Sequence, residues 1–126
     1  MSKKVGLDDF GDELSKLISE YGKSVRINLD EAIKDTAKES AKELKKAGTF
    51  EGKEYRRSWT SKKQPSKRLH VDYVVYNKEH YQLTHLLEFG HVKQNGGRTR
   101  AFPHIAPVND KVADRVISFL KRKVSE

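Results

Sequence analysis

Between residues 8 and 47, apolar or small side chains return every three or four positions: Phe10, Leu14, Leu17, Ile18, Tyr21, Val25, Leu29, Ala32, Ile33, Thr36, Ala37, Ala41 and Leu44. That step is the signature of one buried stripe on an α-helix. Lys and Glu fill the other positions, placing mixed charges on the wet face around Glu31, Lys34, Glu39 and Lys42. Gly48 after Lys45 and Lys46 is a good stop. Unbroken, about 38 residues at 1.5 Å each would run roughly 57 Å. That is long for a chain of 126 residues, so such a helix must project or be held by neighbouring subunits. Gly22 is its weak point, costing about 1 kcal/mol relative to Ala. Asn28 and Glu31 have the spacing of a capping box, so a break within 22–28 is the alternative.

Past Gly48 the pattern changes. Tyr55, Arg57 and Trp59 alternate with polar residues, and Val71–Tyr76 is β-branched and aromatic. This predicts two strands, about 54–60 and 68–77, paired as a hairpin with a basic tip over 61–67. Residues 79–89 predict a short helix closed by Gly90, and 91–101 a flexible loop with Gly96-Gly97 at its tip. Phe102-Pro103-His104 reads as extended. Pro107 suits the first turn of a last helix carrying Val108, Val112, Ala113, Val116, Ile117, Leu120 and Val124 on one face. The fold class is α+β: a long N-terminal and a C-terminal helix on a small antiparallel sheet, with extended basic loops. A single domain over 1–126 is expected, divided as helical 1–48, hairpin 49–78 and helix-loop-helix 79–126. So small a sheet is marginal alone, which points to oligomer contacts.

There is no cysteine, which excludes disulfides and thiolate metal sites. No apolar run follows Met1–Lys4 and none is long enough to span a bilayer, so a soluble protein made in a reducing cytoplasm is expected. The net charge is +8. Residues 1–47 carry ten basic and ten acidic side chains, 48–104 eleven against five, and 105–126 five against three. A positive field over the middle of the chain favours an anionic partner, or is merely a soluble surface. Arg56, Arg57, Lys62, Lys63, Lys67 and Arg68 are the candidate DNA-facing cluster, binding phosphates without sequence preference. Tyr55, Trp59 and Tyr73 are interleaved with it. Such aromatics can stack on bases, but their alternation favours core or interface.

Catalytic constellations are missing. The histidines are His70, His80, His85, His91 and His104; His85, Glu88 and His91 could approach one another, but the His-Glu-x-x-His metal pattern is absent. No serine sits in a nucleophile elbow and no phosphate loop is present. The acids of the basic region, Glu51, Glu54, Asp72, Glu79 and Glu88, are too dispersed for a two-metal nuclease. No cofactor and no catalytic residue is expected. Glu88 sits where a helix C-terminus disfavours negative charge. A pairing with Arg98 or Arg100 across the loop is expected, against an exposed and unpaired Glu as the bland reading.

Tyr81-Gln82-Leu83-Thr84-His85-Leu86-Leu87-Glu88-Phe89-Gly90-His91, then Asn95-Gly96-Gly97-Arg98 and Ala101-Phe102-Pro103-His104-Ile105-Ala106-Pro107, resembles small phage proteins of the tail-completion, or tail-component, family. The upstream Lys/Glu/Ala helix and the pairing of Arg57-Ser58-Trp59 with Val75-Tyr76-Asn77 fit as well. Phe102-Pro103 stands where relatives often have Pro-Phe. The resemblance implies a non-enzymatic virion protein at the head–tail junction of a long-tailed phage. It would form a homo-oligomeric ring, sixfold, between connector or stopper and the tail-terminator or tail-tube protein. Contact with passing DNA would be transient and nonspecific. It implies interface roles for Glu88, Phe89, Gly90, His91, Arg98, Arg100, Phe102 and Pro103. The other readings are a basic nucleic-acid-binding or nuclease-like phage factor, separable by salt-dependent DNA affinity, and a toxin enzyme, which would need a converged His/Arg/Tyr site.

Overall fold

The N-terminal stripe folds as two helices. In the computed structural model, which describes residues 5–48, 52–64 and 72–125, a turn over Leu7–Asp9 leads into α1 (Phe10–Tyr21), and α2 (Lys23–Leu44) follows after one residue. That residue is Gly22, at φ 44° and ψ −104°, a region that side chains with a Cβ rarely enter. The break falls at the glycine and not at the Asn28–Glu31 spacing: Asn28 lies inside α2 and its Nδ2 donates to the Ser24 carbonyl at 2.8 Å. Gly22→Ala is therefore expected to lose about 1–3 kcal/mol through backbone strain. The measurement is the urea midpoint at unchanged slope; an unmoved midpoint would mean that the elbow is not fixed by this residue.

α2 is the spine. One end packs with α1 and α6 (Val112–Val124) around Leu17, Val25, Ala32, Val116, Ile117, Phe119 and Leu120. Near the far end of α2, Glu43 pairs with Arg115 and, at 3.7 Å, with Lys111. The other end supports a second core of Leu44, Tyr55, Trp59 and Val108. Small side chains on α2, namely Ala32, Thr36, Ala37, Ser40 and Ala41, are buried between these layers and permit close approach. Ile18 and Tyr21, read as stripe residues, are 45% and 41% exposed.

The first predicted strand is corrected in part. Residues Lys53–Arg57 form a helical turn, α3, and β1 begins at Trp59. Tyr55 and Trp59 fit a two-residue alternation, but they are also four apart, one helical turn. Both are buried and their rings meet edge to face at 5.8 Å. β1 (Trp59–Gln64) pairs antiparallel with β2 (Asp72–Asn77), from Trp59 opposite Asn77 to Gln64 opposite Asp72. Residues 61–64 of the expected basic tip belong to β1, and 65–71, which include Lys67 and Arg68, lie outside the described residues. Trp59, Asn77 and Val75 face the core, while Lys62 on the outer face lies over the Tyr76 ring at 5.0 Å. α4 (Tyr81–Phe89) starts after the Asn77 side chain accepts the His80 N–H at 2.9 Å. The expected last helix is two: α5 (Ile105–Asn109), holding Pro107 in its first turn, and α6. The architecture is α+β, with helices on a two-stranded sheet.

Candidate functional site

α4 packs Leu87 against the second core but turns its other large apolar side chains outward. Tyr81, Leu83, Leu86 and Phe89 are 64%, 40%, 36% and 62% exposed, while the acid of the helix, Glu88, is 6% exposed. Leu83, Leu86 and Phe89 follow one another at three-residue steps, so they share one outer face. His85 lies against Phe89 with ring centroids 5.1 Å apart. Val92, just past the helix, is 66% exposed and continues the apolar surface in sequence.

Glu88 is inward because α5 lacks a cap of its own. The residue before α5 is His104, whose side chain makes no capping bond, and the first amides of a helix need acceptors. Glu88 supplies them across the fold. Its Oε1 accepts from the His104 and Ile105 amides, each at 2.8 Å, and its Oε2 from the Ala106 amide at 3.0 Å. The expected Glu88–arginine pair is therefore corrected. Arg98 donates to the Phe89 carbonyl at 3.5 Å, and Arg100 lies over the Phe102 ring at 5.5 Å. The charge that compensates Glu88 is the positive end of α5.

His104 and Tyr55 complete this latch. His104 Nδ1 faces two acceptors, the Phe102 carbonyl at 2.8 Å and Glu88 Oε1 at 3.0 Å, so it carries a proton. The Tyr55 hydroxyl lies 2.8 Å from Nε2 and donates to it when the ring is neutral. Burial, then the charge of Glu88, pushes the tyrosine up to about 12. Burial also opposes ionisation of Glu88, but the three amides and His104 outweigh it and hold the carboxyl below its usual range. Asn77 ties in the strand by donating to the Tyr55 carbonyl at 2.7 Å. The trio of carboxylate, imidazole and phenol has the composition of a catalytic relay. Its members are 6%, 0% and 4% exposed, so it shows no face to a substrate.

Gly90 closes the arrangement. At φ 73° it is buried, and a Cβ there would stand 2.7 Å from the Thr99 carbonyl oxygen. The predicted loop then doubles back as a narrow hairpin, with Val92 bridged to Arg98 and Gly96 and Gly97 at positive φ near its tip. The Phe102 amide donates to the Leu87 carbonyl at 2.7 Å. Thus residues 87–90 and 99–106, the two halves of the motif, are laced together. Of the expected interface residues, Phe89, His91, Arg98, Arg100 and Pro103 are exposed, Phe102 is half-buried, and Glu88 and Gly90 are buried.

The basic cluster is divided. Arg56 ties down the segment that follows α2, donating to the Ala47 and Gly48 carbonyls at 2.7 and 3.1 Å. Arg57, Lys62 and Lys63 are exposed. Arg57 lines a polar cleft of about 570 Å³ with Glu54, Lys78 and His80, in which His80 Nε2 lies 3.8 Å from Glu54. A second cleft, of about 390 Å³ between α2, the sheet and α5, has no acidic, basic or histidine side chain in its lining. Among the described residues no group of three His, Cys, Asp or Glu could hold a metal. His85, Glu88 and His91 serve apart, on Phe89, on the α5 amides and on Thr99.

The sequence placed Tyr55 in a core or interface, as found, but showed neither its bond to His104 nor the roles of His104 and Asn77. The signal for His104 was present, since a helix starting after Pro103-His104 without Ser, Thr, Asp or Asn needs an acceptor from elsewhere.

No helix among the described residues is long and apolar enough to cross a membrane. No curated protein and no solved structure matches the chain. A family does: residues 8–90 match the one described as "Bacteriophage HK97-gp10, putative tail-component". That span runs from α1 through the latch glutamate to the Gly90 turn, well over half of the sequence. The chain belongs to this HK97 gp10-like family of phage tail components.

Proposed function

We propose that this tail component is a ring-forming subunit of the phage neck, joining the DNA-filled head to the tail and leaving an axial passage for DNA. The observation that carries the reading is the outward apolar face of α4. Tyr81, Leu83, Leu86, Phe89 and Val92 are the large apolar side chains exposed on this part of the surface, and such patches mark protein contacts. The latch supports it: a buried carboxylate, a buried imidazole and a glycine with no room for a Cβ fix the helix that carries the patch. A rigid, apolar, non-catalytic surface suits an assembling subunit. The ring is sixfold in this reading, seated between connector or stopper and the terminator or tube of the tail. Arg57, Lys62 and Lys63, on and beside the β-hairpin, are the charges placed to meet phosphates transiently.

Deletion of the gene in its phage, followed by electron microscopy of the lysate, tests the reading. Filled heads beside separate, finished tails are the expected result. Joined virions of normal appearance would remove it and favour the nucleic-acid-binding or nuclease-like alternative. Under that alternative the purified chain would bind DNA with a steep dependence on salt.

A further inference from the structure

The apolar face of α4 continues onto the hairpin that follows it, and there it meets charge. The Thr99 amide donates to the His91 carbonyl at 2.8 Å, and the Lys93 amide to the Gly97 carbonyl at 3.0 Å. Val92 and Arg98, between those bonds, are therefore a non-hydrogen-bonded antiparallel pair, whose side chains stand close together on one face. The Arg98 guanidinium also reaches the Phe89 carbonyl at 3.5 Å, so one cation borders both the end of α4 and Val92. Phe89, Val92 and Arg98 are exposed. Residues 89–109 include Lys93, Arg98 and Arg100 and contain no Asp or Glu. The one acid of α4 is turned inward onto α5. Leu86, Phe89 and Val92 thus form an apolar row with a positive edge.

The chain itself offers no match for that row. Among the described residues its other exposed large apolar side chains are Ile18, Tyr21 and Ile27. At about 100° per residue, Asp12 and Glu20 lie about 100–180° round α1 from Ile18 and Tyr21. Glu13, nearer to Tyr21, is engaged by Lys16 at 3.6 Å and by Lys121 at 3.8 Å. Ile27 stands singly on α2, among charges of both signs from Lys23, Asp30, Glu31 and Lys34 at helical spacing. Two copies meeting through their hairpins would bring like charges together. DNA would engage Arg98 through phosphates and leave three apolar side chains in water, whereas an exposed apolar row marks a protein contact. We infer that Leu86, Phe89 and Val92, edged by Arg98, dock an acidic, apolar segment of a different virion protein. Its apolar side chains lie on Leu86 and Phe89, and an Asp or Glu beside them meets Arg98. The inference rests on the neck reading and specifies the chemistry of the neighbour that the subunit meets.

The test places the photo-crosslinking residue p-benzoylphenylalanine at Phe89, at Val92 and, as a control, at Ile27, each in a separate phage. Purified virions are irradiated and the crosslinked peptides sequenced by mass spectrometry. Phe89 and Val92 are expected to join one segment of one other virion protein, carrying apolar residues and at least one Asp or Glu close to the attachment point. An adduct to a second copy of the chain, to a segment without acids, or the same adduct from Ile27 would overturn the inference. So would the lack of any adduct from chains present in the virion. Absence of the chain from virions would instead defeat the neck reading itself. Charge reversal adds a second readout. Arg98→Glu is expected to lower infectious titre at least roughly tenfold, and Arg98→Lys to keep it. Changing the crosslinked acid of the partner to Lys should restore the Arg98→Glu phage, and failure of that restoration, with both proteins folded, would count against the pairing. Cosedimentation of the purified chain with phosphatidylglycerol vesicles, lost in Phe89→Ser, would assign the row to lipid and overturn the inference.

Discussion

Glu88→Ala is expected to lose about 3–5 kcal/mol of folding stability, because three backbone amides lose a charged acceptor and each such loss costs about 1–3 kcal/mol. The loss arises because three amides, those of His104, Ile105 and Ala106, direct their donors at this one carboxylate from 2.8 to 3.0 Å. Alanine leaves those donors, one buried and two part-buried, without the acceptor that the fold gives them, and shielded donors without acceptors are costly. Against a typical total of about 5–15 kcal/mol this is a large fraction, and it corresponds to a melting temperature lower by roughly 10–20 °C. Glu88→Gln should fall between the two. It keeps one acceptor oxygen, but turns an NH2 group toward a backbone donor. Hydrogen exchange gives a local check, with the Ile105 and Ala106 amides losing protection most. Because the carboxyl is held below its usual range in the folded state, its contribution to stability is complete above the unfolded carboxyl range and disappears as pH falls through the folded value. Wild type should therefore lose more stability on acidification than Glu88→Gln, which has no proton to gain there. Parallel acid unfolding of the two proteins would refute the latch.

Much of this architecture could be read from residue spacing. The stripe from Phe10 to Leu44 gave the helices, and Gly22 marked the elbow, because no cap is needed when the backbone itself turns. The Val116, Ile117 and Leu120 face was plain from its period. What escaped were positions where two periods coincide or where a partner is remote in sequence. Tyr55 and Trp59 satisfy a strand's alternation and a helix's turn at once, and only the packing against His104 separates them, with ring centroids 5.6 and 6.2 Å away. Glu88 was legible as an anomaly but not in its solution. A local rule looks for a nearby cation, whereas the compensation is a helix terminus sixteen residues on. The outward face of α4 was likewise hidden, since an apolar helix reads as core unless its one acid is known to be inside.

Gly90→Ala is the substitution for which the surroundings leave least room. The glycine sits at φ 73°, where a Cβ is strained by about 1–2 kcal/mol. The added carbon would also meet the Thr99 carbonyl oxygen at 2.7 Å, with the Ala101 amide nitrogen at 3.5 Å behind it. Both contacts are backbone, so no side chain can rotate away. The 99–101 segment would have to shift, and it leads directly to the Phe102 amide held by Leu87 and to the amides held by Glu88. The expected loss is about 2–4 kcal/mol, strain and displacement together. Its consequence for assembly should exceed its consequence for folding, because the 91–100 hairpin carries Lys93, Arg98 and Arg100 and is set by this turn. A Gly90→Ala chain that still folds at reduced temperature should show native far-ultraviolet circular dichroism but fail to complement a deletion phage. Full complementation at wild-type stability would mean that the turn tolerates a side chain. It would also mean that the hairpin is not positioned by its contact with residue 90.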